Sequence, residues 1–299
     1  MAAAANKRLI ALVREVPSTF HKALSSAPGA GTIDVALAKQ QWQGYVSALR
    51  KLVDTVHVIP ADDAYPDCPF IEDTVVCARG TAVLTRPGHP SRMGEVQAVG
   101  DWFKTAEEYA EGALQLQTLA ELDAEATLDG GDVLYTGRHM FVGLSKRTNA
   151  AAARCLQRAF GPSLPVVPIN IQDLDGVLHL KCLVTGLGPG ALCVVDSPAG
   201  RQVGERMAGA VDGVAYTSVA VPDEFAANVV SIHSDTWRGA LVQGNRCRDS
   251  VNLLRSAFAS SASSSSSLQG AVHELDMSEF IKADGSLTCL SVILEVPAR

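Results

Sequence analysis

Short apolar runs alternate with longer segments of helical periodicity at the start of the chain. The runs 8–14 and 55–59 predict buried strands, and residues 35–53 between them repeat their apolar positions at helical spacing. The segment 94–116 has a similar helical pattern, which two glycines interrupt. A strand–helix–strand order is typical of α/β proteins, so the pattern predicts that fold class.

The rest of the chain repeats one kind of unit four times. In each unit a polar residue precedes or begins an apolar strand, and a turn, a second strand and a helix follow; the entry residues are Asp73, Asp132, His179 and Asn228. His179 is predicted within the apolar strand 178–184. The chain closes on a buried strand, 285–294, with Cys289 near its head. The run 166–169 predicts an edge strand, because Pro168 cannot donate to a ladder.

Packing of these units around a common centre would bring their polar ends together. The repeat therefore predicts one site that contains Asp73, Asp129, Asp132, His179 and Cys289. A cysteine, a histidine and acids in one place are the groups that thiolate attack requires. Each group also has a structural explanation: free cysteines usually pack in cores, a histidine in an apolar strand is often a core residue, and acids beside glycines often cap turns.

Asp73 and two further acids lie among apolar residues. Asp67, Glu72 and Asp73 are bracketed by Phe70–Ile71 and by 74–76. Carboxylates drawn toward a core need cationic partners. Lysine and arginine residues of the chain could supply them, and so could a cationic substrate.

Composition narrows the choice of partner. The chain has 299 residues, 47% of them hydrophobic and only 5% aromatic, which predicts a large core of aliphatic side chains. The net charge of −7 argues against nucleic acid or an acidic membrane surface as a partner. It is also consistent with a cationic small-molecule substrate.

The cysteines and the first residues bear on location. Seven cysteines occur, without the paired spacing of a zinc finger, and several lie inside apolar runs, which favours reduced thiols in a cytosolic protein. Residues 1–13 lack the apolar core and cleavage site of a secretory signal, which argues against secretion. The same residues do not exclude an organelle transit peptide. No apolar stretch reaches transmembrane length.

Six short motifs together resemble one enzyme family, dimethylarginine dimethylaminohydrolase, of the guanidine-modifying superfamily that includes arginine deiminase. They occur in one order along nearly the whole chain, and six at compatible spacing are far more specific than any one. The motifs are PDCPFIED (66–73), TRPGHPSR (85–92), LDGGDVL (128–134), VGLSKRTN (142–149), LHLK (178–181) and LTC (287–289).

The resemblance implies a fold and an activity. The fold is a five-bladed α/β propeller of ββαβ modules with pseudo-fivefold symmetry, which here would be a single catalytic domain over residues 1–299 with a flexible Ser-rich loop at 260–267. The activity is hydrolysis of Nω-methylated arginines to citrulline plus methylamine or dimethylamine. The resemblance also implies a cytoplasmic monomer or homodimer with a part in nitric oxide regulation.

The resemblance assigns a role to each matched residue. Cys289 would be the nucleophile that forms a thiouronium intermediate, His179 the acid and base, and Asp129 the group that orients His179. No cofactor or metal is implied, and zinc bound at Cys289 would be inhibitory. The implied substrate-binding residues are Glu72 and Asp73 for the guanidinium, Arg92 and Arg147 for the α-carboxylate, Asp67 for the α-amine, and the backbone of Leu24 and Ala283.

Two alternatives differ in class. The first is an arginine deiminase-like hydrolase that releases ammonia, although that family commonly carries an extra helical domain for which this chain has no room. The second is a catalytically silent binding protein that uses the acidic pocket for a cationic ligand. A segment over the pocket is also expected, and the glycine-containing stretch 23–31 is the predicted lid.

Overall fold

A computed structural model describes residues 7–26, 31–107, 112, 114–188, 190–233, 238–260 and 271–297. Strands and helices alternate along these ranges, as the α/β prediction requires. Within them the strands are β1 (Lys7–Arg14), β2 (Thr55–Ile59), β3 (Val75–Ala78), β4 (Thr81–Leu84), β5 (Gln115–Thr118), β6 (Val133–Tyr135), β7 (Met140–Leu144), β8 (Val166–Asn170), β9 (Val184–Gly188), β10 (Ala191–Val195), β11 (Thr217–Val221), β12 (Val230–His233), β13 (Arg238–Gln243), β14 (Ala271–Leu275) and β15 (Val292–Pro297). The α-helices are α1 (Val35–Leu49), α2 (Val96–Thr105), α3 (Leu119–Leu122), α4 (Ala150–Phe160), α5 (Pro198–Gly209), α6 (Arg248–Ser260) and α7 (Ser278–Ile281).

The described strands form five three-stranded mixed sheets. Their orders are β15-β1-β2, β3-β4-β5, β6-β7-β8, β9-β10-β11 and β12-β13-β14. In every sheet the middle strand pairs antiparallel with one neighbour and parallel with the other. In four of the sheets a hairpin supplies the antiparallel pair, and a crossover supplies the parallel strand. The repeat expected from the sequence is therefore present.

The two ends of the chain complete one sheet together. β15 pairs antiparallel with β1, with Leu12 opposite Val292, and β2 pairs in parallel on the other side of β1. Residues Ala11, Leu12 and Val13 are fully buried in this central strand. The last strand thus fills the place that a hairpin strand occupies in the other four sheets.

Capping residues delimit two helices. Asp34 accepts hydrogen bonds from the amides of Ala36 and Leu37 at the start of α1. Asn149 caps α4 in the same way, and Gly161 ends that helix with a φ of 71°. α4 buries Cys155 and Leu156 against the sheet that contains Met140. These helices cover the sheets and leave the strand ends to form the site.

A short 3-10 turn precedes the first strand of every sheet. We number these turns 1 to 5 along the chain: Ile71–Thr74, Gly130–Asp132, Leu180–Cys182, Glu224–Ala227 and Thr288–Leu290. Turn 1 contacts turns 2 and 5, turn 2 contacts turn 3, and turn 3 contacts turn 4. The polar ends of the five sheets therefore converge, as the repeat predicts.

Three predicted elements differ from the structure. His179 lies just before turn 3 and not in a strand, since β9 begins at Val184; likewise Cys289 lies in turn 5, ahead of β15. A continuous apolar run does not distinguish a strand from a buried turn, because neither leaves a periodic pattern over a few residues. The segment 94–116 is not one helix: α2 ends at Thr105, and β5 begins at Gln115.

Several other predictions concern location and loops. The edge strand at 166–169 is confirmed as β8, an outer strand that pairs only with β7 among the described residues. All seven cysteines are free. None of the described helices combines the length and the apolar character that a membrane crossing requires. Of the Ser-rich stretch, Ser260 ends α6, and 261–267 lie outside the described residues, as do 27–30 of the predicted lid.

Candidate active site

Cys289 is held by contacts on both sides of turn 5. The hydroxyl of Tyr45, a fully buried residue of α1, donates to the carbonyl of Leu287 at 2.9 Å and lies 2.7 Å from Oγ of Ser291. The thiol side of the turn lines two adjoining cavities. Burial raises the pKa of Cys289 well above its ordinary value, and the charges of Glu72 and Asp73 raise it further. The thiol is thus held in place and protonated at neutral pH.

His179 is paired with a buried carboxylate. Its Nε2 lies 3.0 Å from Oδ2 of Asp129, a residue with no exposed surface. The other oxygen of Asp129 accepts from the amide of Gly88 at 2.7 Å. Burial favours the neutral imidazole, but the charges of Asp73, Asp129 and Asp132 outweigh it and raise the pKa of His179 to about 9. The imidazole therefore carries a proton at neutral pH.

The paired glycines of turn 2 allow this close packing. A side-chain carbon on Gly131 would lie 2.6 Å from Nδ1 of His179 and 3.1 Å from Oδ1 of Asp73. A carbon on Gly130 would collide with the backbone carbonyl of Glu72. Since neither position has room for a side chain, the two glycines let turns 1, 2 and 3 meet.

Asp132 holds turn 3 in place. Its Oδ1 accepts from the amide of Leu180 at 2.9 Å, and its Oδ2 accepts from the hydroxyl of Ser145 at 2.6 Å. Burial raises the pKa of Asp132 to about 6. This acid, which the repeat predicts at the site, therefore lies beneath His179 and supports the backbone that follows it.

Asp73 belongs to a buried ion network. Its Oδ2 accepts from Nη1 of Arg92 at 2.6 Å, and its Oδ1 accepts from the amide of Gly131 at 2.8 Å. Arg92 also pairs with Glu95 at 2.8 Å and donates to the carbonyl of Phe70. Burial opposes the charge of Asp73, yet His179 and Arg92 lower its pKa to about 2. Asp73 is therefore ionised throughout the physiological range.

Glu72 closes the floor of the site. Its Oε1 lies 2.6 Å from Nζ of Lys181, and its Oε2 accepts from the hydroxyl of Thr288 at 2.8 Å. Asn228 bridges the same two segments, because its amide donates to the carbonyl of Lys181 and its carbonyl accepts from the amide of Thr288. Two further cavities, of about 460 and 240 Å³, are lined by residues of the first strands of the sheets, and the second of these also borders Glu72.

The two cavities at Cys289 differ in their walls. The first, of about 30 Å³, is lined by Asp73 and by the five residues predicted to bind an amino-acid group: Leu24, Asp67, Arg92, Arg147 and Ala283. The second, of about 170 Å³, extends past Glu72, Cys182 and Phe225. Both cavities share Leu178, His179, Asp284 and Cys289. We call them the first and second cavities.

The described part of the predicted lid is held by two acids. The amide of Leu24 donates to Oδ1 of Asp67 at 3.0 Å, and the amide of Ser26 donates to Oδ2 of Asp284. Burial raises the pKa of Asp67. Leu24 thus borders the first cavity and Ser26 the second, and each is held by a bond from its backbone amide.

Sequence reasoning missed several residues that shape the site. Tyr45, Glu95, Lys181, Thr288 and Ser286 hold or line it, and none has a distinctive sequence signal. Lys181 lies inside one of the six motifs but received no role. Glu95 follows Arg92 by three residues, a spacing that permits pairing within a helical turn.

One group of acids and histidine could present ligand atoms to a metal. Oxygen or nitrogen atoms of Asp73, Asp129 and His179 lie within 4.8 Å of one another. However, Arg92 and Arg147 already place positive charge beside the two acids, at 2.6 and 3.6 Å. These two arginines thus balance the negative charge of Asp73 and Asp129, as a bound metal ion would.

Comparison with known proteins identifies the family. The family model described as "N,N dimethylarginine dimethylhydrolase, eukaryotic" matches residues 20–291, which is most of the chain. The chain belongs to this family. The resemblance carried by the six motifs is therefore confirmed, and with it the prediction of a hydrolase that acts on the C–N bonds of amidines.

Individual members of the family match over similar lengths. The N(G),N(G)-dimethylarginine dimethylaminohydrolase of Streptomyces coelicolor is 35% identical over 95% of this chain and 96% of its own length. The enzyme of the same name from Pseudomonas aeruginosa is 28% identical over 88% of this chain and 90% of its own length. A solved structure of a cysteine-to-serine mutant of the Pseudomonas enzyme, complexed with citrulline, superimposes with a TM-score of 0.72 at 25% identity, covering 96% of this chain and 98% of that one.

Proposed function

We propose that the chain hydrolyses Nω-methylated arginines to citrulline plus methylamine or dimethylamine, through a thiouronium intermediate on Cys289. One observation carries the proposal. Cys289 and the Asp129-paired His179 line the same two cavities, with Asp73 and Glu72 on their walls, although these groups come from different turns. The names of the matched relatives support the same reaction.

Binding of the substrate would activate the nucleophile. A guanidinium needs hydrogen-bond acceptors in one plane, and Asp73 and Glu72 offer carboxylate oxygens beside the thiol. Burial, together with their charges, raises the pKa of Cys289 and keeps the thiol protonated in the free enzyme. A bound cation would offset these charges and favour the thiolate, so attack would begin only when the substrate is present.

The reaction then needs one group that gives and later takes a proton. The Cys289 thiol first loses its proton to solvent. The thiolate attacks the guanidinium carbon, and His179, protonated near neutral pH, donates its proton to the departing amine. The C–N bond breaks and the thiouronium remains. His179 next accepts one proton from water, whose oxygen attacks the same carbon. The C–S bond then breaks, the second proton of the water passes to the departing sulfur, and citrulline is released. No cofactor takes part in these steps.

The remaining matched residues would bind the amino-acid end. Asp67 and the backbone of Leu24 and Ala283 line the first cavity and fit an α-amine, and Arg147 with Arg92 fits an α-carboxylate. At about 30 Å³ this cavity is small for that group. Entry of a substrate therefore requires residues 24–26 to move, in line with a lid.

We also propose that the five sheets are the blades of an α/β propeller. Contacts between β15 and β3, between β6 and β9, and between β9 and β12 support a ring of first strands. The whole chain, 1–299, would then be one catalytic domain. A cytoplasmic location and a part in nitric oxide regulation stay predictions.

A direct assay tests the reaction. Purified protein is incubated with asymmetric dimethylarginine, monomethylarginine or arginine, and citrulline is measured. We expect the methylated substrates to be turned over, and faster turnover of arginine would instead identify a deiminase-like enzyme. Cys289→Ser should abolish turnover and retain binding of dimethylarginine, whereas Cys77→Ser, in β3, should retain both. Full activity of the Cys289 variant would remove the catalytic assignment.

A further inference from the structure

Turn 4 has no role in the reaction described so far. Turns 1, 2, 3 and 5 each contain or adjoin a proposed catalytic or guanidinium-binding residue, whereas turn 4 contains Glu224, Phe225 and two buried alanines. The turn is firmly anchored, because the hydroxyl of Thr185 donates to the carbonyl of Ala227 at 2.6 Å. Phe225 nevertheless leaves 40% of its surface exposed. A fixed turn with an exposed aromatic side chain at the site suggests contact with a ligand.

The second cavity gives Phe225 something to contact. This cavity of about 170 Å³ lies between turns 3, 4 and 5 and is lined on one side by His179 and Cys289. The amino-acid end of the substrate would occupy the first cavity. Because the substrate is an extended molecule that reacts where the two cavities meet, the outer guanidine nitrogen must point into the second.

The walls of the second cavity match an alkylated nitrogen. Leu178, Cys182 and Phe225 supply apolar or weakly polar surface. One hydroxyl, Oγ of Ser286, is buried without a hydrogen-bond partner among the described residues, and Ser286 is only 7% exposed. A buried polar group without a partner is costly. The nitrogen of a departing amine in this cavity would supply that partner.

The volume exceeds what methyl groups require. A water molecule, which is close to a methyl group in size, takes about 30 Å³, and the cavity measures about 170 Å³. We infer that the second cavity receives the substituents on the reacting nitrogen, that it accepts alkyl groups larger than methyl, and that Phe225 is the residue that selects for them. This inference rests on the proposed function for the direction in which the substrate lies.

Calorimetry on the inactive Cys289→Ser protein tests the inference without turnover. Affinity is measured for arginine and its Nω-methyl, Nω-ethyl and Nω-propyl derivatives. Each methylene that enters an apolar cavity should strengthen binding about fourfold. With Phe225→Ser added, the gain for each methylene should fall below about twofold, while affinity for arginine stays the same. Phe225→Leu should keep most of the gain, and Leu253→Ser, at an exposed apolar residue of α6, should keep all of it.

The results separate the two proposals. Affinity that falls from methyl to propyl, a gain that Phe225→Ser leaves unchanged, or a failure of all four ligands to bind would overturn the inference. If dimethylarginine is still hydrolysed by the wild type in those cases, the proposed function stands. A gain that depends on Phe225, in a protein that hydrolyses none of the four, would support the cavity assignment and contradict the reaction.

Discussion

Arg92 and Arg147 are both proposed to bind the α-carboxylate of the substrate, yet they lie in different surroundings. Arg92 is 4% exposed, and its guanidinium is bound to Asp73, Glu95 and the carbonyl of Phe70. The side chain of Arg147 is 18% exposed, and its ion pair with Asp129 is a looser 3.6 Å contact. An arginine has five donors, so Arg147 keeps more of them for a substrate. Arg92 and its partners Asp73 and Glu95 thus form a buried wall of the site, whereas Arg147 lies at a rim that is open to a ligand.

Replacement of Arg92, the cation of the buried wall, should have the largest effect on stability and activity. Arg92→Met leaves the charge of Asp73 buried without its closest cation, and breaking such a pair typically costs about 3–5 kcal/mol. We expect a loss of that size in the free energy of unfolding, measured by urea denaturation, together with loss of activity. Arg154→Met, at an exposed residue of α4, is the control and should unfold like the wild type. Equal stability of the two variants would mean that the wall is not an ion network.

Asp129 lies between the wall and the rim, and its replacement should affect the chemistry more than folding. In the wild type, kcat/KM should fall as pH rises through about 9, because His179 must be protonated to donate to the leaving amine. Asp129→Asn removes the charge that helps to raise this pKa. We expect kcat to drop on the order of 10² to 10⁴-fold and the alkaline fall to move about one to two pH units lower. A pH–rate profile measures both, and an unshifted alkaline limb would contradict the pairing.

Arg147→Met should have the smallest of the three effects and a different kinetic signature. Loss of one charged hydrogen-bonding partner for a carboxylate corresponds to about a ten- to hundredfold change. We expect that change in KM for dimethylarginine, with kcat and stability little altered. The exposed neighbour Lys146→Met controls for the change in net charge. If kcat falls while KM is unchanged, Arg147 acts on Asp129 and not on the substrate.

Local patterns were sufficient for most of the strands and for the convergence of the polar residues that precede them, whereas the substrate-binding roles came only from the family resemblance. Apolar runs separated by glycine turns predicted the strand pairs of four sheets, and a polar residue before each run predicted convergence. The turns themselves were missed, since three residues such as Leu180–Cys182 leave no periodicity to detect. Apolar side chains such as that of Leu180 are buried there just as a strand's would be.

Long-range supports could not be predicted from the sequence. Tyr45 bonds to Leu287 across 242 positions of the chain, and Glu72 bonds to Thr288 across 216. Neither partner stands out in the sequence, because a tyrosine in a helix or a threonine beside a cysteine has many ordinary structural reasons. Phe225 is a similar case, since an exposed phenylalanine becomes informative only beside the second cavity.

The most direct test of the central claim is the mass of the enzyme during turnover. Protein reacting with dimethylarginine is quenched in acid, digested and analysed by mass spectrometry. We predict a peptide that contains Cys289 and carries the added mass of the amidino group and its amino-acid chain. The same peptide from the wild-type protein, treated in the same way without substrate, should carry no added mass. An adduct on another cysteine, or steady turnover by a Cys289→Ser protein, would contradict the account.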